Sequence, residues 1–159
     1  MNFLELLSPA GDAKSFKAAI LAGANAIFFV VENFNARQRA ENISFENLSD
    51  LINLAKSKNV KSYLTLNTLV YDSEFSNLFE TVQKAIQCGI DAVIVQDMGV
   101  LYFVKQNFPD LEIHASTQMT THNILQCEFL SEVGVSQINL SRELSLVELK
   151  PLVKFLNSK

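Results

Sequence analysis

Tryptophan is absent from the 159-residue chain, and cysteine, histidine, proline and glycine are scarce, with two, two, three and five residues. The two cysteines, Cys88 and Cys127, lack CxxC spacing, and we find no secretory leader. This usage argues against a disulfide scaffold and favours a reducing, cytoplasmic location. No apolar run approaches the roughly eighteen residues that a membrane span requires, so we expect a soluble protein that does not enter a membrane.

Excess charge of either sign is also missing. The chain carries 13 basic and 17 acidic residues, for a net charge of -4, so it lacks the strongly basic surface typical of proteins that bind nucleic acid through charge alone. At 48% hydrophobic and 19% charged residues it is too apolar to be disordered. We expect one domain, formed by residues 1–159.

Several common signatures of catalysis and cofactor binding are absent. The first turn reads SPAGD at residues 8–12, not GxGxxG, and no GxxxxGK[ST] occurs, which argues against dinucleotide or ATP binding through those motifs. Ser116 has no GxSxG surroundings, and His122 has no HxxxH or HExxH spacing. The sequence therefore predicts neither a serine nucleophile nor a metal site.

What the sequence does contain is a repeated alternation of short apolar runs and helical patterns. Three helix-to-strand joins resemble one another, reading GANAI at residues 23–27, GIDAV at 89–93 and GVSQI at 134–138. About six strands recur at the spacing of βα units, which predicts an α/β fold, either a (β/α) TIM-type barrel or a doubly wound sheet. Because a barrel uses eight units, this one would be incomplete.

Two local predictions concern the second half of the chain. Asp97 follows the fourth strand in the position of a helix N-cap, and Thr120 or Thr121 is expected to start the helix after the fifth strand. We expect the sixth strand at residues 137–141, QINLS.

Polar residues follow every predicted strand. Because the carboxyl ends of parallel strands meet at one edge of a sheet, these residues are candidates for a shared site. The candidates for catalysis are His114, Asp97 and Glu143, and those for substrate binding are Asn35, Arg37, Asn67, Gln96, Ser116, Gln118 and Arg142.

Each candidate also has a structural interpretation. His114 titrates near neutrality and could act as a general base, but its apolar run favours a buried structural histidine. Asp97 and Glu143 could be acids, but they also occupy N-cap and first-turn positions. Arg37 and Arg142 suit oxyanions, although arginines in loops are often simply solvated.

Six segments together resemble a known family. They read ELLSPAGD (5–12), FNARQRAENIS (34–44), YLTLNTLVYDSE (63–74), DAVIVQDMGVL (91–101), IHASTQM (113–119) and LSRELSLVEL (140–149). In this order and spacing they are similar to the N-terminal region of the collagenase-like peptidases, the peptidases of unknown catalytic type. The resemblance spans residues 4–149 and implies a (β/α) barrel.

The resemblance implies two kinds of activity. Members of the family were first described as proteases. Better-understood relatives hydroxylate RNA bases or the ubiquinone ring without molecular oxygen, through prephenate-linked chemistry and an iron–sulfur cluster. The segments NTLVYDSE, VQDMG and HASTQ most resemble the branch that hydroxylates a ribosomal-RNA cytidine, and are less similar to the hydroxylases of transfer-RNA uridine. A peptidase acting on collagen-like or other peptides is the alternative.

One feature of the family is missing from the chain. The cysteine-rich segment that holds the cluster in relatives would follow residue 149, and Cys88 and Cys127 are too few for the four thiolates of a [4Fe–4S] cluster. We therefore expect a truncated hydrolase- or hydroxylase-family member without a cofactor of its own, inactive alone. It could also be a non-catalytic binding or assembly module, or half of a split enzyme. Open barrel edges would favour self-association or a complementary chain.

Overall fold

The computed structural model describes residues 4–31, 34 and 43–157 of the chain. Strands and helices alternate through this part. The strands are β1 (Leu7–Ala10), β2 (Ala26–Phe29), β3 (Lys61–Leu66), β4 (Ala92–Val95), β5 (Glu112–Ala115) and β6 (Gln137–Ile138). The α-helices are α1 (Ala13–Leu21), α2 (Phe45–Ser57), α3 (Phe75–Cys88), α4 (Met98–Asn107), α5 (Ile124–Glu132) and α6 (Leu146–Leu156). Short 3₁₀ turns occupy Asp72–Glu74 and Thr117–Met119.

The six strands are parallel and form one sheet in the order β1-β2-β3-β4-β5-β6. In β1 and β2, Leu7 pairs with Ala26, and in β5 and β6, His114 pairs with Gln137. A doubly wound sheet reverses its strand order at a switch point, whereas a barrel keeps the order of the sequence. The observed order therefore confirms the barrel-type prediction over the doubly wound alternative.

Each of the three repeated joins contains a polar side chain that hydrogen-bonds to the neighbouring strand, and we call this contact a latch. Each polar residue bonds by its side chain to the start of the preceding strand: Asn25 Oδ1 accepts from Leu6 N at 2.8 Å, Asp91 Oδ2 accepts from Ser62 N at 2.7 Å, and Ser136 Oγ donates to Ile113 O at 3.2 Å. The preceding glycines Gly23, Gly89 and Gly134 have φ of 87°, 89° and 91°. Glycine adopts this left-handed conformation without steric cost, so it ends the helix and turns the chain into the next strand.

Two boundaries differ from the sequence prediction. The predicted helix start at Thr120 or Thr121 is wrong, because α5 begins at Ile124 and Asn123 Oδ1 caps it by accepting from Gln126 N at 2.9 Å. Thr120 instead ends the preceding 3₁₀ turn with φ of 52°. The sixth strand is also shorter than expected, since ladder pairing stops at Ile138.

Contacts divide the chain into two compact units, residues 1–93 and 94–159. In the first unit, Phe16 packs edge-on against Phe29 at a ring-centroid distance of 5.7 Å, and the buried faces of α2 and α3 carry Leu48, Ile52 and Leu78. In the second unit the core includes Val100, Val104, Ile113, Cys127 and Leu130. Among the described residues, no helix combines the length and the apolar character needed to cross a bilayer.

Candidate functional site

The carboxyl end of β4 leads directly into a capped helix. Asp97 Oδ1 accepts hydrogen bonds from Gly99 N at 2.7 Å and Val100 N at 3.0 Å. This is the N-cap of α4, as predicted, and it satisfies two amide groups that have no partner within the helix. Gln96, half-buried, precedes it. Both residues lie where the sequence placed them, and the cap occupies one oxygen of the Asp97 carboxylate.

His114 lies inside β5 and is only 2% exposed. Its Nε2 is 3.6 Å from Oε2 of Glu112, the residue that begins the strand and shares its face. The imidazole therefore contacts a carboxylate at the amino end of β5, whereas barrel sites collect at the carboxyl end. This placement favours a positioning role, and direct catalysis by His114 stays a prediction.

Ser116 and Gln118 form a local turn after β5. Ser116 Oγ accepts from Gln118 N at 3.2 Å and lies 3.4 Å from Gln118 Oε1. The backbone N of Ser116 donates to Val95 O at 2.7 Å, so the turn is fixed to the end of β4. In these bonds Ser116 contacts an amide, not a base that could activate it as a nucleophile.

A pocket opens beside this turn, within the second unit. It has a volume of about 340 Å³ and is lined by Thr120, His122, Ser141, Glu143, Leu144 and Glu148. We call it the Glu143 pocket. The loops after β5 and β6 form its walls, and Ser141 N joins them by donating to Thr121 O at 2.9 Å. The pocket thus lies where strand ends of a (β/α) fold place functional sites.

His122 has a defined orientation in the Glu143 pocket. Its Nδ1 lies 2.6 Å from the carbonyl oxygen of Thr120. Because a carbonyl oxygen can only accept, Nδ1 carries the hydrogen, and in the neutral ring Nε2 is an acceptor. Asn123 Nδ2 lies 3.5 Å from Nε2, a long contact that leaves this nitrogen accessible.

Two carboxylates complete the lining. The Ser141 hydroxyl donates to Glu143 Oε2, and this bond lowers the pKa of Glu143 below its ordinary value, with a smaller contribution from Arg142. Glu148 Oε2 accepts from Ser145 N at 2.8 Å and Ser145 Oγ at 2.6 Å, and the hydroxyl bond is the main cause of its lowered pKa. Both groups are therefore anionic at neutral pH, and they give a mostly apolar pocket two charged acceptors.

The structure brings together only part of the predicted site. Glu143 lines the pocket and Arg142 neighbours it in the chain, whereas Asn67, half-buried after β3, belongs to the first unit. Asn35 and Arg37 lie outside the described residues. Thr120, His122, Ser141 and Glu148 were not predicted as site residues. Thr120, His122 and Ser141 follow β5 and β6, and Glu148 lies in the first turn of α6, so position after a strand was the available signal.

The chain's own cysteines do not suit an iron–sulfur cluster. Cys127 is fully buried on α5 and Cys88 is half-buried at the end of α3. Burial raises the pKa of both thiols, which disfavours the thiolate form that binds iron. Within the described ranges, no group of three His, Cys, Asp or Glu residues is arranged to hold a metal ion.

Comparison with known sequences gives a consistent result. The profile described as "Peptidase family U32" matches residues 11–158. The 23S rRNA 5-hydroxycytidine C2501 synthase of Escherichia coli is 40% identical over 94% of this chain, and the tRNA hydroxylation protein P of the same organism is 32% identical over 93%. The collagenase of Porphyromonas gingivalis is 32% identical over 96%. The chain spans only 22%, 33% and 36% of these three relatives.

Comparison with solved structures supports the fold. A U32 peptidase aligns over 96% of this chain and 65% of its own, with a TM-score of 0.74 and 12% identity. A deoxyribose phosphate aldolase from Aeropyrum pernix aligns over 98% and 70%, with a TM-score of 0.67 and 16% identity. At such low identity these matches show the (β/α) barrel type of fold alone.

Proposed function

Because the chain belongs to peptidase family U32, we propose that it forms part of an RNA-base hydroxylase that acts on cytidine. The observation that carries this proposal is the 40% identity to the 23S rRNA 5-hydroxycytidine synthase along 94% of the chain. The tRNA hydroxylation protein and the collagenase each share 32%. Hydroxylation of transfer-RNA uridine is therefore the second choice, and peptide hydrolysis the third.

The Glu143 pocket is the feature of the structure that supports a nucleobase substrate. A protease needs an activated nucleophile or a metal-bound water. In the described residues Ser116 bonds to Gln118, burial raises the pKa of the two thiols, and no metal-binding group of three residues is formed. A pocket of about 340 Å³ with a mostly apolar lining and two carboxylates suits a small ring that carries N–H donors.

In this proposal the residues of the chain bind and orient the RNA. Glu143, Gln118 and Ser116 contact the base, Arg142 contacts a phosphate, and Asp97, Gln96 and Asn67 hold the loops after their strands. Asn35 and Arg37 are proposed to add a second oxyanion contact. His114 acts through β5 as a positioning residue. These roles rest on placement at strand ends and on the chemistry of each side chain.

Replacing the C5–H bond of cytosine by C5–OH is a two-electron oxidation. It needs a source of oxygen and a two-electron acceptor, and we propose that both lie outside this chain, the oxygen source being an organic hydroxyl donor of the prephenate class. The two cysteines do not fit an iron–sulfur cluster, so no step is assigned to one here. For an RNA substrate of this kind we propose a cytoplasmic location.

Complementation tests the proposal. The complete gene that encodes this chain, with any coding sequence beyond these 159 residues, would be expressed in an Escherichia coli strain that lacks the 23S rRNA 5-hydroxycytidine synthase, and rRNA nucleosides would be measured by mass spectrometry. We expect 5-hydroxycytidine to reappear. Restoration of hydroxylated uridine in tRNA alone would favour the second choice, and cleavage of gelatin by purified, cluster-free protein would favour a peptidase.

A further inference from the structure

The lining of the Glu143 pocket is mostly apolar, and the two charged side chains in it are hydrogen-bond acceptors. Glu143 and Glu148 are anionic, and the Nδ1–H of His122 is already donated to Thr120 O, which leaves Nε2 as an acceptor. The Ser141 hydroxyl is also committed, as the donor to Glu143. A ligand that hydrogen-bonds to these carboxylates must therefore supply N–H or O–H donors of its own.

We propose that the Glu143 pocket is the subsite that selects cytosine over uracil, with the Glu143 carboxylate accepting a hydrogen bond from the exocyclic amino group of the base. The inference rests on the proposed function and adds to it the residue that sets base specificity. Cytosine carries an N4 amino donor where uracil carries the O4 acceptor, and Glu or Asp accepts from cytosine N4 in known base recognition. A carboxylate that faces O4 would be repelled by it.

The hydrogen bond from Ser141 favours the ionised form of Glu143, which can accept further hydrogen bonds. The Ser141 hydroxyl holds Oε2, while an ionised carboxylate has about four lone-pair positions, so most of its accepting capacity stays available. Ser141 is itself 8% exposed and its backbone N is bonded to Thr121 O. The group that orients Glu143 is thus anchored to both walls of the pocket.

Two neighbours fit a nucleotide around this contact. The exposed ring of His122 offers a flat face for stacking on a base, a use that RNA-binding proteins make of histidine. Arg142 precedes Glu143 in the chain, is exposed, and can contact a phosphate bidentately. A simple cation site would gain nothing from an adjacent arginine, which would repel its ligand.

Binding of free nucleosides to the purified chain tests this inference. Backbone amide shifts of the ¹⁵N-labelled protein would be followed by NMR during titration with cytidine, uridine and agmatine, the last as a guanidinium probe. We expect cytidine to bind about fivefold to tenfold more tightly than uridine, as one hydrogen bond to a charged acceptor at an exposed site predicts. The shifts should be largest at the pocket residues.

Variants of Glu143 test whether its carboxylate sets the preference for cytidine. In Glu143→Gln the side chain can present either an oxygen or an amino group, so the preference for cytidine should fall to about equality, while Glu143→Asp should retain a preference. Glu132→Gln removes the same charge from an exposed position of α5 outside the pocket and should change nothing.

Equal binding of both nucleosides by the parent chain would overturn the proposal, and so would an unchanged preference in Glu143→Gln. Tight agmatine binding without cytidine binding would show a cation pocket instead. The complementation experiment is independent of these titrations. Cytidine selection without hydroxylated RNA contradicts the proposed function alone, whereas hydroxylation without selection contradicts only the assignment of this pocket.

Discussion

The ionised state of several carboxyl groups in this protein is stabilised by hydrogen bonds from hydroxyl and amide groups close in sequence. Asp12, Glu143 and Glu148 each have a lowered pKa, and in each case a hydrogen bond from a nearby serine is the largest cause. A carboxyl whose pKa is lower in the folded state stabilises the fold above its unfolded pKa, near 3.8 for Asp and 4.5 for Glu. That stabilisation is lost as the pH falls through the folded pKa.

Glu148 gives the clearest prediction at this scale. Its carboxylate closes the capping box of α6 with Ser145, so Glu148→Ala should lower the melting temperature at neutral pH. The difference from the parent should shrink as the pH falls below the ordinary glutamate pKa of 4.5 and through the lowered pKa of the folded state, because protonation removes the same charge-assisted bonds. Glu148→Gln keeps an acceptor without a titrating charge and should show a smaller, pH-independent change. Thermal melts would be recorded across this pH range. The account would be contradicted if the differences in melting temperature between the parent and the two variants did not change with pH.

The sequence predicted some of these residues and not others, for physical reasons. Asp97 was identifiable as a cap because its two amide partners are two and three residues away. The Glu143 pocket was not, since it depends on the left-handed turn at Thr120 and on a hydrogen bond between Thr121 and Ser141. Contacts between residues twenty positions apart leave no periodic pattern in a sequence.

At the scale of secondary structure, the repeated joins explain how short strands are held in register. Strands of two to six residues have few ladder bonds, and the polar side chain of each latch adds a bond at the strand's start. The motif was visible in the sequence as Gly, then a variable residue, then Asn, Asp or Ser. Its partner was not visible, because the bonded strand lies 19 to 29 residues earlier in the chain.

Removing one latch should measure its contribution. Asp91 accepts from both N and Oγ of the fully buried Ser62, at 2.7 and 3.0 Å. Asp91→Ala leaves those donors unsatisfied and should lower the free energy of unfolding by about 1–3 kcal/mol. Asp110→Ala, at an exposed position in the turn before β5, is the control and should stay within about 0.5 kcal/mol of the parent. Urea unfolding with equal midpoints for the two variants would contradict the latch interpretation.

At the scale of the whole molecule, the fold class was predictable from the sequence. The edges of the sheet bear on how the chain associates. Repeated βα units gave the fold class, and the sequential strand order settled it as barrel-type. In that order β1 and β6 each have one bonded neighbour, and an unpaired edge is a template for another strand. The helix that follows β6 in the chain, α6, exposes Leu146 and Val147 at 76% and 81%, which adds apolar surface to the same unit.

We therefore predict that the 159-residue chain self-associates through the β6 edge. Analytical ultracentrifugation should show a mass that rises with concentration, and Val147→Lys should shift the equilibrium toward monomer by about tenfold. Leu21→Lys changes a similarly exposed side chain, 87% accessible, on α1 and serves as the control. A monomer at all concentrations that also fails to bind a hydrophobic dye would contradict this prediction.

The central claim is that this U32 chain belongs to the machinery that hydroxylates cytidine in RNA, and one measurement tests it most directly. The gene would be disrupted in the organism that encodes it, and its ribosomal and transfer RNA would be digested to nucleosides for mass spectrometry. The account predicts that a cytidine carrying one additional oxygen atom disappears and returns on complementation. Unchanged nucleosides in both RNA classes, with loss of gelatin or peptide cleavage by the same cells, would contradict it.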